Sequence, residues 1–398
     1  MTLSLERRAA LWGDRTAIVD ASADRRVSYA DLESEADAMA RRLSALGVGS
    51  GDPVAVVSRN RVETLALLFA VRRLGAVFAP ISHRLTPATV EGPLETIDPA
   101  AVVHETAQRD LVRELPSDRT HAFEDLGRHE GADYERADPD PDESLCYLHT
   151  DGGERVVDLP ARAVEWNCIT AVAAWGLGRG DCAPALLPFS DADGLLCLVA
   201  PLLYVGGRVV VLRAFDPEDA MRAVDAEGAT ALLAGPTEYR EVVESEAFET
   251  TDFGSVEWVG TRSALPADAR EELARCAPVV RTYGRVETGP NNLYRPPQSA
   301  SGESPDADCV GRPFPDCEVR VADEDGNPVA EGTVGELRFR GPVTARGYLA
   351  SDGRDGEGGD GRDGETFPDW VPTGDLAHRE GGDYYLLGSA DEERLDGK

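Results

Sequence analysis

Apolar positions change period along this chain. Ser28, with Asp31 three residues on, makes a capping-box-like helix start. Leu32, Ala36, Met39, Ala40 and Leu43 then recur at helical spacing, and Gly47 closes the run. Pro53 to Val57 reads as a short apolar strand, Asn60 to Leu74 as a helix stopped by Gly75, and Ala76 to Ala79 as a strand ended by Pro80. After an acidic, Pro-rich stretch from Gly131 to Glu143, read as a linker or surface loop, the alternation resumes. Strands are expected at Leu145 to Leu148, Ala183 to Leu187, Arg208 to Leu212, Thr230 to Ala234, Val256 to Val259 and Val279 to Tyr283, with helices at Pro217 to Glu227 and Ala267 to Arg275. Strands alternating with helices imply parallel sheets covered on both faces.

The texture changes after about Pro296. Cys317 to Ala322 alternates, Asp325-Gly326 supplies a turn, and Gly335 to Arg340 alternates again, which predicts hairpins. Residues 351 to 366 are Gly/Asp-rich and read as a flexible surface insertion. The expected fold is therefore α/β. Two doubly wound subdomains, about 1–140 and 141–295, precede a smaller β-rich, barrel-like subdomain over 296–388.

Composition narrows the class. Lys+Arg number 40 against 73 Asp+Glu, a net charge of −33. The acids are spread along the chain, and Lys398 is the only lysine. Such a charge costs stability through self-repulsion and keeps a protein soluble at high salt, so a halophilic cytoplasmic protein is expected. No basic patch suggests nucleic acid. The seven cysteines have no CxxC spacing, so neither zinc nor a disulfide framework is expected. No secretory leader or 18-residue apolar run is present, so no membrane span is expected.

Four segments carry candidate chemistry. Tyr283-Gly284-Arg285-Val286-Glu287 follows a buried strand, where open α/β sheets bind ligands. There Tyr283 could stack on a base, Gly284 would let backbone approach, and Glu287 is a hard oxygen ligand suited to Mg²⁺. A solvated loop glutamate is the plainer reading. Thr373-Gly374-Asp375-Leu376 is read as a turn whose carboxylate could take ribose hydroxyls, or simply its own backbone. Val310-Gly311-Arg312-Pro313 is turn chemistry. Leu148-His149-Thr150-Asp151-Gly152-Gly153-Glu154-Arg155 is a short Gly/Thr loop between strand and helix.

Together with Ser28-Tyr29-Ala30-Asp31-Leu32, Gly51-Asp52-Pro53, Leu74-Gly75-Ala76 and Gly335-Glu336-Leu337, these segments resemble the adenylate-forming acyl-CoA synthetases from about Gly13 to Lys398. The resemblance implies an ATP-dependent carboxylic acid–CoA ligase, which makes acyl-AMP and pyrophosphate and then a thioester with coenzyme A. It implies catalytic roles for Glu287, Arg155 and Thr150, and nucleotide binding by Tyr283, Gly284, Thr373, Asp375, Gly152 and Gly153. Mg²⁺ would sit on Glu287, and Gly289 to Asn292 would lie near the acid. It also implies that 389–398 is a hinge stub and that the lid is absent from this chain or supplied by another subunit.

The chain departs from the pattern it resembles. Asp151 places negative charge in a phosphate loop, and Glu154-Arg155 stands for Pro-Lys, although Arg and Lys are not interchangeable. Val286 replaces a phosphate-contacting threonine, Arg262 crowds the adenine position, Asp191 replaces a histidine or aromatic, and Gly388-Ser389-Ala390 lacks an arginine. Losing about three charged hydrogen bonds costs roughly 5–9 kcal/mol. Impaired catalysis, or a binding role for AMP or acyl-adenylate alone, is therefore expected.

Overall fold

The computed structural model describes residues 3–297, 308–350 and 364–389, without the Asp151 side chain. The insertion expected over 351–366 and the stub from 389 lie almost wholly outside the described residues. Strands Pro53–Val57 and Val77–Ile81 are buried throughout, as central parallel strands covered on both faces must be. They belong to a seven-stranded sheet that runs Gly347–Tyr348, Val156–Pro160, Ser144–His149, Val77–Ile81, Pro53–Val57, Ala101–His104, Thr120–Ala122. Pro80, expected to end its strand, lies inside it, in register with Val56.

Helix Tyr29–Ala45 begins on the Ser28–Asp31 capping box that the sequence signals. Its buried stripe meets helix Val62–Leu74, which buries every residue except Glu63 and Arg72. The second helix is apolar nearly all round because it is sandwiched, and truncating Leu65 there would cost about 2–5 kcal/mol. Gly75 closes it at φ 68°, a left-handed conformation that favours glycine.

The second sheet has four strands in the order Arg25–Ser28, Thr16–Asp20, Arg208–Val211, Cys182–Ala185. The N-terminal hairpin thus completes the sheet of a segment far along the chain. The third order has nine strands. Ala231–Ala234, Trp258–Thr261 and Val279–Arg285 are parallel. Antiparallel strands then continue through Gly289–Tyr294, Cys309–Pro313, Asp383–Ser389, Val371–Glu380, Gly335–Arg340 and Glu318–Ala322. The β-rich part therefore extends an open sheet by hydrogen bonds. The barrel-like closure expected for it is not formed among the described residues.

Polar contacts lock the layers together. Glu105, after the strand Ala101–His104, binds Arg59 and Arg213 at 2.5 Å each. Tyr29 donates to the Gly207 carbonyl, and Asn60 bonds the backbone of Leu187 and Phe189. All seven cysteines are free thiols, six of them buried. No helix among the described residues is long and apolar enough to cross a membrane.

Candidate nucleotide site

Val279–Arg285 is the last parallel strand of the nine-strand order, and its carboxyl end carries the site. Tyr283 is 7 % exposed. Its ring stacks on Phe339 at 5.9 Å, and its hydroxyl donates to Asp375 Oδ2 at 2.5 Å. Burial, and then the Asp375 charge, push the phenol far above its usual range, so it acts as a fixed donor.

The backbone approach at Gly284 is real, but it serves the fold. A Cβ there would lie 2.2 Å from the Pro290 carbonyl across the hairpin. Asp375 corrects another expectation. It is not in a turn before a strand but inside Val371–Glu380. Gly374, at φ 72°, bulges that strand, and Thr373 is pinned by donating to the Leu337 carbonyl.

Glu287 is buried, which sets aside the solvated reading. Its Oε1 accepts from Tyr348 at 2.9 Å. Tyr348 sits on the short strand Gly347–Tyr348, paired to Val156–Pro160 directly after the Gly/Thr loop. The Arg155 guanidinium lies 4.6 Å above its ring. Burial first, and Glu287 second, raise the Tyr348 hydroxyl above its usual pKa.

The loop closes on itself through Thr150. Its N–H donates to the Arg155 carbonyl at 2.9 Å, and its Oγ1 accepts from the Arg155 N–H at 3.2 Å. Gly152 and Gly153 both have φ of 79°, and Gly153 packs against Pro93. His149 fixes the loop's base. Its Nε2 accepts from the Ser82 N–H, and its Nδ1 bonds the Thr150 carbonyl. The fold thus joins Thr150, Arg155 and Glu287 through Tyr348, a residue the sequence reading missed.

Arg285, also missed, lies between the two acids. Its Nη1 is 3.2 Å from Asp375, and its Nε is 3.8 Å from Glu287. Burial alone would lower its pKa, but Asp375 and Glu287 together raise it. Sequence offered no local signal for the Arg285–Asp375 or Tyr348–Glu287 contacts, because each joins segments far apart in the chain.

Arg262, expected at the adenine position, is held by protein groups. It donates to the carbonyls of Pro290 at 2.8 Å and Gly284 at 2.6 Å, and it pairs with Asp193 at 3.0 Å. Its buried Nε has no partner. Asp191 stands before the helix Ala192–Leu196, and burial raises its carboxyl pKa, with the Ser190 hydroxyl pulling it back. Asn167 and Asn291 are buried and bonded to each other at 3.1 Å, behind Gly289–Tyr294.

This mixed α/β fold matches the N-terminal domain of adenylate-forming enzymes. The inhibitor-bound N-terminal domain of FACL13 from Mycobacterium tuberculosis shares this fold, with a TM-score of 0.84 at 21 % identity over 97 % of this chain and 98 % of that one. ATP-bound MatB from Rhodopseudomonas palustris superposes with a TM-score of 0.81 at 26 % identity, over 98 % of this chain and 79 % of that one. The AMP-binding enzyme family model matches residues 5–349, and the chain belongs to that family. It is 28 % identical to the indoleacetate–CoA ligase of Aromatoleum aromaticum over 98 % of this chain and 78 % of the relative. It is also 28 % identical to a feruloyl-CoA synthase of Amycolatopsis over 90 % of this chain and 72 % of the relative.

Proposed function

We propose that the cleft between Thr150, Glu287 and Asp375 binds the adenylate of a carboxylic acid, as in acid–CoA ligases, and that its grip on a triphosphate is weak. The observation that carries this reading is the Tyr348 bond to Glu287 under the Arg155 guanidinium. It brings the Gly/Thr loop to a buried carboxylate at the end of a parallel strand, the place where such sheets take nucleotides. Tyr283 and Thr373 hold Asp375 toward the ribose side.

The residues fit Mg²⁺ as a guest of the nucleotide and not as a resident ion. Among the described residues no three His, Cys, Asp or Glu side chains form a metal cage. One carboxylate plus phosphate oxygens suits Mg²⁺, and Glu287 would supply that carboxylate. When bound, the ion would neutralise phosphate charge. The chain's own residues orient the nucleotide and exclude water from its base.

The weak triphosphate grip follows from Asp151 and Glu154 in the loop and from Val286 in place of a hydroxyl residue, while Arg262 is committed to two carbonyls and Asp193. Coenzyme A and a lid acting in trans belong to the alternative, a complete ligase. That alternative is supported by the burial of Glu287 and by the Tyr283 bond that fixes Asp375. The net charge of −33 points to a halophilic, cytoplasmic setting for either activity.

The test is calorimetry with AMP and Mg·ATP, paired with ATP–pyrophosphate exchange in molar KCl over fatty, aryl and arylacetic acids. AMP binding without preference for Mg·ATP, and exchange that is slow or absent, is expected. Brisk exchange without a helper would overturn the weak-grip reading and establish the adenylation step of a ligase.

A further inference from the structure

Arg285 follows the buried Tyr283 by two positions and closes the hairpin into Gly289–Tyr294. Its N–H donates to Thr288 Oγ1, and its carbonyl accepts from the Thr288 N–H, each at 3.2 Å. This fixes its Cα while the side chain, 43 % exposed, reaches the open side of the site. There the guanidinium spans two carboxylates, Asp375 on the strand Val371–Glu380 at 3.2 Å and Glu287 in the adjoining hairpin turn at 3.8 Å. Those contacts engage Nη1 and Nε. Among the described residues Nη2 has neither a hydrogen-bond nor an ion-pair partner.

Charge makes this placement consequential. Glu287 and Asp375 together present two negative charges to any entering nucleotide, and a phosphoryl group brought close would be repelled by both. One fixed cation between them removes part of that repulsion. A guanidinium already held by carboxylates on one edge still offers donors on another, in a planar fork that matches phosphate oxygens. Arg155 does not fill this role equally well, because its guanidinium is laid over the Tyr348 ring.

We propose that Arg285 is the phosphate-binding cation of this cleft, its free edge taking a non-bridging oxygen of the phosphoryl group of AMP or an acyl-adenylate. The inference rests on the nucleotide reading above and deepens it. Arg285 acts as a binding and positioning residue. It offsets the charge of Glu287 and Asp375 where the monophosphate enters, and contributes little to the nucleoside itself.

Calorimetry of wild type, Arg285→Gln and Arg285→Lys with AMP and with adenosine tests it, at the lowest KCl that keeps the chain folded. The wild type is expected to bind AMP more tightly than adenosine. R285Q should lose roughly 10- to 100-fold in AMP affinity, the size of one charged hydrogen bond or a little more, while adenosine affinity stays put. R285K should recover part of the AMP affinity. Melting curves that stay single and cooperative, with R285Q lowered only slightly by the loss of a part-exposed ion pair, separate a binding loss from misfolding. R285Q binding AMP like the wild type would overturn the assignment, and so would equal losses for AMP and adenosine. A wild type that binds neither would overturn the nucleotide reading itself, and this inference with it.

Discussion

The Tyr283 hydroxyl donates to Asp375 Oδ2 at 2.5 Å, across 92 residues of sequence. The bond ties the last parallel strand of the α/β body to a strand of the antiparallel extension, and it has a charged acceptor in a buried setting. It therefore does two things: it joins the two parts of the nine-strand order, and it aims a carboxylate. Arg285, two residues further along the same strand, reaches the same Asp375 oxygen at 3.2 Å.

Replacing Tyr283 with Phe keeps the stacking on Phe339 and removes only the hydroxyl. A charged hydrogen bond of this kind is worth about 1.5–3 kcal/mol, so Tyr283→Phe should lower unfolding free energy by that amount. Asp375→Asn alone should cost a similar amount. The double variant should cost clearly less than the sum, because both changes remove one interaction. Denaturant titrations of the four proteins measure the coupling, and strict additivity would show that the bond is not stabilising.

Arg262 is the second lever. Its guanidinium satisfies the carbonyls of Gly284 and Pro290 and balances Asp193. Removing one partner of a buried ion pair typically costs 3–5 kcal/mol, because the other is left uncompensated. Arg262→Ala should therefore destabilise by roughly that amount. Asp193 is 34 % exposed, so Asp193→Asn should cost less. Thermal melts in constant KCl order the two variants. Equal and negligible effects would mean that Arg262 is an idle replacement.

The helices were legible because their signals are local. Pro217–Glu227 is bounded as its proline, its acidic first turn and Gly228 dictate. The order of the parallel strands was not legible, because hydrogen-bond partners are set by packing over long separations. Thr16–Asp20 and Arg25–Ser28 are short and broken by Asp20, Asp24, Arg25 and Arg26; the first is stabilised by pairing with Arg208–Val211, and the second pairs back on the first. Asp375 was misread for a local reason. Pro372-Thr373-Gly374-Asp375 has the composition of a turn, yet its positive-φ glycine forms a bulge within a ten-residue strand. Glu287 was found from its segment, but its burial depends on Tyr348, which arrives from a strand pairing no local pattern announces.

Glu105 gives a pH prediction. Burial pushes its carboxyl up, but Arg59 and then Arg213 outweigh burial and hold it down to about 2, against an ordinary 4.5. A depressed carboxyl contributes stability that is present above the unfolded value and lost as pH falls through the folded one. The contribution should thus be full above pH 4.5 and gone near 2, and the difference corresponds to about 3 kcal/mol. Glu105→Gln should lower stability at neutral pH and flatten its decline between those limits. Urea midpoints taken at stepped pH values decide it. Parallel curves for wild type and variant would remove Glu105 from the acid response.

Salt acts on two opposed sets of charges. Surface pairs such as Arg128–Asp125 and Arg340–Glu318 are exposed, each worth about 0–1 kcal/mol, and salt weakens them. The excess of 73 acids over 40 bases repels itself across the whole surface, and salt relieves that repulsion. Screening shortens from about 10 Å at 0.1 M to about 3 Å at 1 M, so repulsion between neighbouring carboxylates is relieved mainly in the upper part of that range. The buried groups, Arg73 with Glu33 and Glu105 with its two arginines, feel little of this. The excess charge outnumbers the exposed pairs in reach, so repulsion should dominate. The melting temperature should rise steadily from low salt to molar KCl, and by more than in sucrose of equal osmolarity, which is excluded from the protein surface but screens no charge. A flat or falling curve in KCl would show that the exposed ion pairs outweigh the repulsion, and that the acidic surface is no adaptation to salt.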